Sequence, residues 1–318
     1  MQGSTNAILA DVADARNPLT LCTFSGSGSL QLVTQTMVSW SATRGSPGSP
    51  GDSVIAVLDL YTGTSTVAAG WTGGGAMDGM HAWSPDRGFL AYVTSDTSAV
   101  NLHLLSGGGD RVVAGFGPVP ARGVNPSEDD AFLAFSPDGA YFAFVQTFTS
   151  TGDQLQIRRT TDGSVAYSQP FGTMATWAST GSRLYFRQPN GSVVSMWDPG
   201  TGTSQALKAG FAWIRPHADA GDDYLAFTER DAAGTPHVWT YGHGGRAGGQ
   251  LPNVRSSAVF LNPTSLFYVE EASCGSNCGP GPATQPDGKT FTYDIAHQAE
   301  DPSRISQVLA TWPRPGQI

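Results

Sequence analysis

One short segment recurs along this chain, and its recurrence restricts the fold more than any other feature. Ala82-Trp83-Ser84-Pro85-Asp86-Arg87-Gly88 leads into the apolar run Phe89-Leu90-Ala91-Tyr92-Val93. Ala134-Phe135-Ser136-Pro137-Asp138-Gly139 leads in the same way into Tyr141-Phe142-Ala143-Phe144-Val145. A third copy runs from Thr176-Trp177 through Ser179-Thr180-Gly181 to Leu184-Tyr185-Phe186. Three more are divergent: Cys22-Thr23-Phe24-Ser25-Gly26 before Leu30-Gln31-Leu32-Val33, Trp213-Ile214-Arg215-Pro216-His217 before Tyr224-Leu225-Ala226-Phe227, and Phe260-Leu261-Asn262-Pro263 before Leu266-Phe267-Tyr268.

Each copy reads as strand, tight turn, strand. Proline presets φ, aspartate bonds its own backbone, and glycine accepts positive φ, so the chain reverses sharply. A third strand follows after a variable loop, as at residues 54–60, then the turn Tyr61-Thr62-Gly63-Thr64 and a fourth strand. The same second turn recurs at Ser106-Gly107-Gly108, Thr161-Asp162-Gly163 and Asp198-Pro199-Gly200-Thr201-Gly202. Six such units at spacings of roughly 40 to 60 residues have the period of propeller blades. The expected fold is all-β: a six-bladed β-propeller of four-stranded antiparallel blades, one domain over residues 1–318, with blades starting near residues 19, 78, 130, 172, 209 and 256. Residues 6–12 or residues 305–310 supply the outer strand of the last blade.

An aromatic residue followed by Ser-Pro-Asp-Gly and an apolar strand resembles the TolB-like propeller repeat. The resemblance runs from about residue 19 onward, and the copies at Trp83 and Phe135 carry it best. It implies a periplasmic or extracellular, monomeric binding module that receives a protein partner or small ligand on its loop-rich face. A second implied function is that of the six-bladed lactonases, metal-assisted hydrolases such as a lactonase or phosphotriesterase with calcium in the central channel.

Charge narrows the partners. The chain has a net charge of −9, and Lys208 and Lys289 are its lysines. No basic stripe is present to neutralise phosphates, which argues against nucleic acid as a partner. No apolar run approaches the length of a membrane span. Glycine-x-serine-x-glycine elbows in a strand-to-helix setting and phosphate-binding loops are both missing.

In the repeat frame, the loops entering the innermost strand and the loops between strands two and three open on one face. His81 falls on an innermost strand where other copies carry apolar residues such as Leu133 and Ala175. It is the candidate base or metal ligand, against the plainer alternative of a packed histidine. Asp78 and Asp130 each stand five residues before the repeat's aromatic. They are the candidate calcium ligands, with Asn125 and Glu128 completing the ligand-binding set. Further loop groups are Glu229, Asp231, Arg255, and the segment from Glu271 to Lys289. His217 reads as a turn residue on the opposite face from His81. Cys274 and Cys278 share a loop and are expected to form a disulfide, which implies an oxidising compartment, with Cys22 a buried thiol.

Overall fold

In the computed structural model, residues 4–11, 14–25, 31–34, 36–44, 52–72, 80–95, 99–116, 132–146, 154–170, 173–188, 193–208, 217–218, 224–231, 235–242, 248–273 and 284–306 are described. Strands β1 (Ser4–Asp11) and β2 (Asp14–Ser25) form a two-stranded sheet. All remaining strands fall into six four-stranded sheets, each made of strands consecutive in the chain. The described chain divides into two compact units, whose main segments are Pro18–Pro170 and Phe171–Trp312.

The first unit holds three sheets. These are β3 (Gln31–Thr34), β4 (Met37–Arg44), β5 (Asp52–Asp59) and β6 (Ser65–Thr72); β7 (His81–Trp83), β8 (Phe89–Ser95), β9 (Val100–Ser106) and β10 (Gly109–Phe116); and β11 (Phe132–Phe135), β12 (Tyr141–Gln146), β13 (Gln154–Arg159) and β14 (Val165–Pro170). The second unit holds β15 (Thr173–Trp177), β16 (Leu184–Gln188), β17 (Val193–Asp198) and β18 (Thr203–Lys208); β19 (His217–Ala218), β20 (Tyr224–Arg230), β21 (Pro236–Gly242) and β22 (Gly249–Gln250); and β23 (Arg255–Asn262), β24 (Ser265–Ser273), β25 (Thr284–Asp294) and β26 (Ala299–Ser306).

The Ser-Pro-Asp turns work as their chemistry dictates. Ser84 Oγ donates to Asp86 Oδ1 at 2.6 Å and accepts from the Phe89 amide at 2.9 Å. Ser136 repeats this with Asp138 at 2.7 Å and the Tyr141 amide at 3.0 Å. Gly139 sits at φ 70°, but in the preceding sheet Arg87, not Gly88, takes that left-handed place at φ 62°.

Cores form between neighbouring sheets within each unit. Ile55 and Ala69 pack with Leu90 and Tyr92. Val93, Leu102 and Leu104 pack with Leu133, Phe142 and Phe144. In the second unit Tyr185 and Val194 meet Leu225 and Phe227, and Val238 meets Phe260, Leu266 and Tyr268. Burying such side chains contributes about 1.5–3 kcal/mol each, and this radial packing holds the sheets.

Three expectations are corrected. The first sheet begins at Gln31, not near residue 19, because β2, with Cys22, pairs with β1 instead. The reversal between β3 and β4 has no proline or glycine to announce it. His217 lies in a strand, not a turn: it pairs with Ala226, and Ala218 faces Leu225 as Trp83 faces Leu90. The spacing held the clue, since Phe89 and Tyr141 follow their prolines by four residues and Tyr224 follows Pro216 by eight. The segment from Glu271 to Lys289 is strand at both ends, with Ser273 paired to Thr284. Ring closure also resolves in part, since β26 completes the last sheet and β1 does not.

The last sheet contains an ion pair that makes a test possible. Arg255 grips Glu300 with Nη2 to Oε1 at 2.8 Å and Nε to Oε2 at 3.1 Å, while Tyr268 donates to Oε2 at 2.6 Å. Burial alone raises the Glu300 pKa, but the donors Arg255, Tyr268 and Asn253 outweigh it and hold it below the ordinary value. A depressed carboxyl stabilises the fold above its unfolded pKa and loses that contribution as pH falls through its folded pKa. The wild-type melting temperature is therefore expected to fall below about pH 4.3, and Glu300→Gln to flatten that fall. An identical acid limb in Glu300→Gln contradicts the assignment.

Candidate functional site

His81 starts β7 and faces Tyr92 across the ladder. It is fully buried, as is Ser39 on β4 of the neighbouring sheet. Their side chains meet at 2.8 Å, Ser39 Oγ to His81 Nε2, and Trp83 Nε1 donates to the same oxygen at 3.2 Å. Gln31 Nε2 donates to the His81 carbonyl. An indole nitrogen donates and never accepts, so Ser39 Oγ accepts from Trp83, and its remaining lone pair or its hydrogen serves the bond to His81 Nε2.

A serine hydroxyl hydrogen-bonded to a histidine Nε2 is also the local arrangement of an activated nucleophile. Here both groups have no solvent exposure, so no substrate carbonyl reaches the oxygen. What the arrangement does is pin β4 to β7 through paired polar groups in a dry interface. Ser39→Ala is expected to cost about 2 kcal/mol, since it leaves His81 Nε2 and the Trp83 Nε1–H without the partner they share. Chemical denaturation measures the loss, and a change below about 0.5 kcal/mol contradicts the pin.

The other sequence-nominated ligands, Asp78, Asn125, Glu128 and Asp130, lie outside the described residues. Among the described residues, no group of three or more His, Cys, Asp or Glu side chains is placed to hold a metal ion. No helix among them is long and apolar enough to cross a membrane. The expected disulfide is corrected: the three cysteines show no pair at disulfide distance. Cys274 and Cys278 themselves lie outside the described residues. Closeness in sequence does not aim two Cβ atoms at each other across the short distance a bridge requires. With the bridge goes the argument from it for an oxidising compartment.

Loop groups come together at the β20–β21 end. Glu229 faces His237 across the ladder, and His237 Nε2 lies 3.5 Å from Asp231 Oδ2. The Asp231 side chain is 45% exposed and that of His237 21%, while Glu229 is buried. Arg255, nominated as a loop residue, lies on β23 and is committed to Glu300, with its guanidinium 4.1 Å over the Phe291 ring.

Sequence reasoning missed a second polar cluster. Tyr92 donates to Asp110 Oδ2 at 2.6 Å, His103 Nδ1 lies 3.1 Å from the same oxygen, and Thr94 Oγ1 lies 3.1 Å from His103 Nε2. Burial, then the bond to Asp110, pushes the Tyr92 phenol well above its usual range. A signal existed: the second strand of each four-stranded sheet carries an aromatic at one ladder position, namely Trp40, Tyr92, Phe144, Phe186, Phe227 and Tyr268. A hydroxyl on a buried aromatic demands a partner.

No family model matches this chain, and no curated protein matches it in sequence. Solved structures do. The β-propeller domain of the Trilobed protease from Pyrococcus furiosus aligns with a TM-score of 0.55 at 10% identity, over 90% of this chain and 85% of that one. A prolyl endopeptidase aligns at 0.55 and 14%, over 90% of this chain but 44% of its own. TolB from Acinetobacter baumannii aligns at 0.46 and 17%, over 79% of this chain and 64% of that one. This chain thus spans under half the prolyl endopeptidase and under two thirds of that TolB. The likeness shows a β-propeller fold; membership of the TolB family is not shown.

Proposed function

We propose that this chain is a binding module: a propeller scaffold that receives a protein or small ligand at the open ends of its strands. The observation that carries this reading is the burial of His81. The residue whose chemistry most suggested a catalytic base is built into the contact between two sheets. The polar groups left accessible, such as Asp231 and His237, stand at strand ends, where loops carry variable chemistry on a rigid frame.

The test places a photo-crosslinking residue at position 231, or at position 201 in the turn at the other end of a sheet in the same unit. Crosslinks to a defined partner from position 231 and not from 201 are expected in extracts of the source organism. Equal capture from both positions contradicts the reading. So does lactone or phosphotriester hydrolysis by purified protein that calcium chelation abolishes, which instead supports the hydrolase alternative with Asp78 and Asp130 as ligands.

A further inference from the structure

Two of the six four-stranded sheets carry the same hydrogen bond at the same place in their ladders. In the second sheet Leu90, Leu105 and Asp110 lie opposite one another on β8, β9 and β10. In the last sheet Leu266, Tyr293 and Glu300 lie opposite one another on β24, β25 and β26. Tyr92 and Tyr268 each stand two residues further along. By this register Tyr92 corresponds to Tyr268, Asp110 to Glu300, and His103, opposite Tyr92, to Phe291, opposite Tyr268. Both tyrosines donate to their carboxylates at 2.6 Å.

The last sheet's version is filled. Its carboxylate takes the Arg255 guanidinium through both oxygens, the guanidinium lies over the Phe291 ring, and the Glu300 side chain is 17% exposed. In the second sheet, Asp110 Oδ2 accepts from Tyr92 and meets His103 Nδ1, while Oδ1 has no partner among the described residues. The Asp110 side chain is 39% exposed. The His103 ring, in the place of Phe291, stacks on Tyr92 at 4.7 Å. Here the carboxylate is oriented and the aromatic floor is present, but no guanidinium among the described residues occupies the place.

We propose that Asp110, oriented by Tyr92 and His103, is a docking point for an arginine side chain of a protein partner. The guanidinium donates to Oδ1 as Arg255 Nη2 donates to Glu300 Oε1. Arginine fits better than lysine because its planar fork matches a fixed carboxylate edge and lies flat on an adjoining ring. The chain's net charge of −9 favours a basic partner surface as well. The proposal stands apart from binding at the open ends, because Asp110 directly follows the Ser106–Gly109 reversal at the other end of its own sheet.

The experiment uses the full chain and a blocked Gly-Ser-Arg-Ser-Gly peptide, read by the NMR shifts of the His103 imidazole. A saturable shift is expected, with the same peptide carrying citrulline giving none. Asp110→Asn should weaken binding by about tenfold or more, and Asp110→Glu, which keeps the carboxylate, should retain it to within a few-fold. Equal shifts with the citrulline peptide, or undiminished binding by Asp110→Asn, overturn the proposal. So does the absence of any shift in wild-type protein at saturating peptide.

Discussion

Arg158→Ala is expected to cost about 3 kcal/mol or more in unfolding free energy, since it leaves several buried acceptors without donors. At the ladder position of Arg158, the other sheets carry Leu58, Leu105, Trp197, Tyr241 and Tyr293. A buried guanidinium stands alone in that series. It is held by Nη1 to Gly163 O at 2.7 Å and to Val113 O at 2.8 Å, and by Nε and Nη2 to Gln156 Oε1 at 2.9 and 2.7 Å. Burial pulls its pKa down. Val113 is the extra residue of a bulge between Val112 and Ala114, so its carbonyl is freed from the ladder of its own sheet. Arg158 supplies the missing donor from the next sheet and joins β10 to β13. Arg158→Met, which keeps most of the volume, should recover only part of the loss. Denaturant titration that follows the unit on Pro18–Pro170 measures both, and a cost under about 1 kcal/mol for Arg158→Ala contradicts the joint.

Gly163→Ala at the same joint is expected to cost about 2–4 kcal/mol, the sum of two separable effects. Gly163 sits at φ 71°, and an added Cβ runs into the Val113 side chain, 2.9 Å from its Cβ. Valine is stiff at χ1 and cannot swing aside. Gly202 provides the control: it has φ 68° but open space around a new Cβ. Gly202→Ala should therefore cost only the backbone strain, about 1 kcal/mol. Val113→Ala in the Gly163→Ala background should relieve the part of the clash made by the valine Cγ atoms, and leave the contact with the Cβ and the strain. Equal losses in Gly163→Ala and Gly202→Ala show that the sheets do not approach as closely as described.

The parts of this fold legible in sequence are those encoded locally. Ser84-Pro85-Asp86 and Ser136-Pro137-Asp138 carry their turn within five residues, and the strands on either side follow. The first sheet was misplaced because Leu32 to Trp40 reads as unbroken strand, while Ser25-Gly26-Ser27-Gly28 reads as a turn. Blade five slipped because Pro216 mimics the repeat's proline at the wrong distance from Tyr224. The polar clusters were illegible for a different reason. Tyr92 reaches Asp110 and Tyr268 reaches Glu300 across ladders whose intervening loops differ in length, so no fixed spacing links the pairs. His81 was legible as an exception among apolar positions, but its partner Ser39 belongs to another sheet.

The account rests on His81 being scaffold, and its accessibility tests this most directly. Diethyl pyrocarbonate modifies reachable imidazoles, and mass spectrometry locates each adduct. The His297 side chain is 80% exposed, and His81 has no exposed surface. Native protein is expected to be modified rapidly at His297 and to remain unmodified at His81 until urea unfolds it. Modification of His81 in native protein at a rate comparable to that of His297 places it within reach of ligands and contradicts the account.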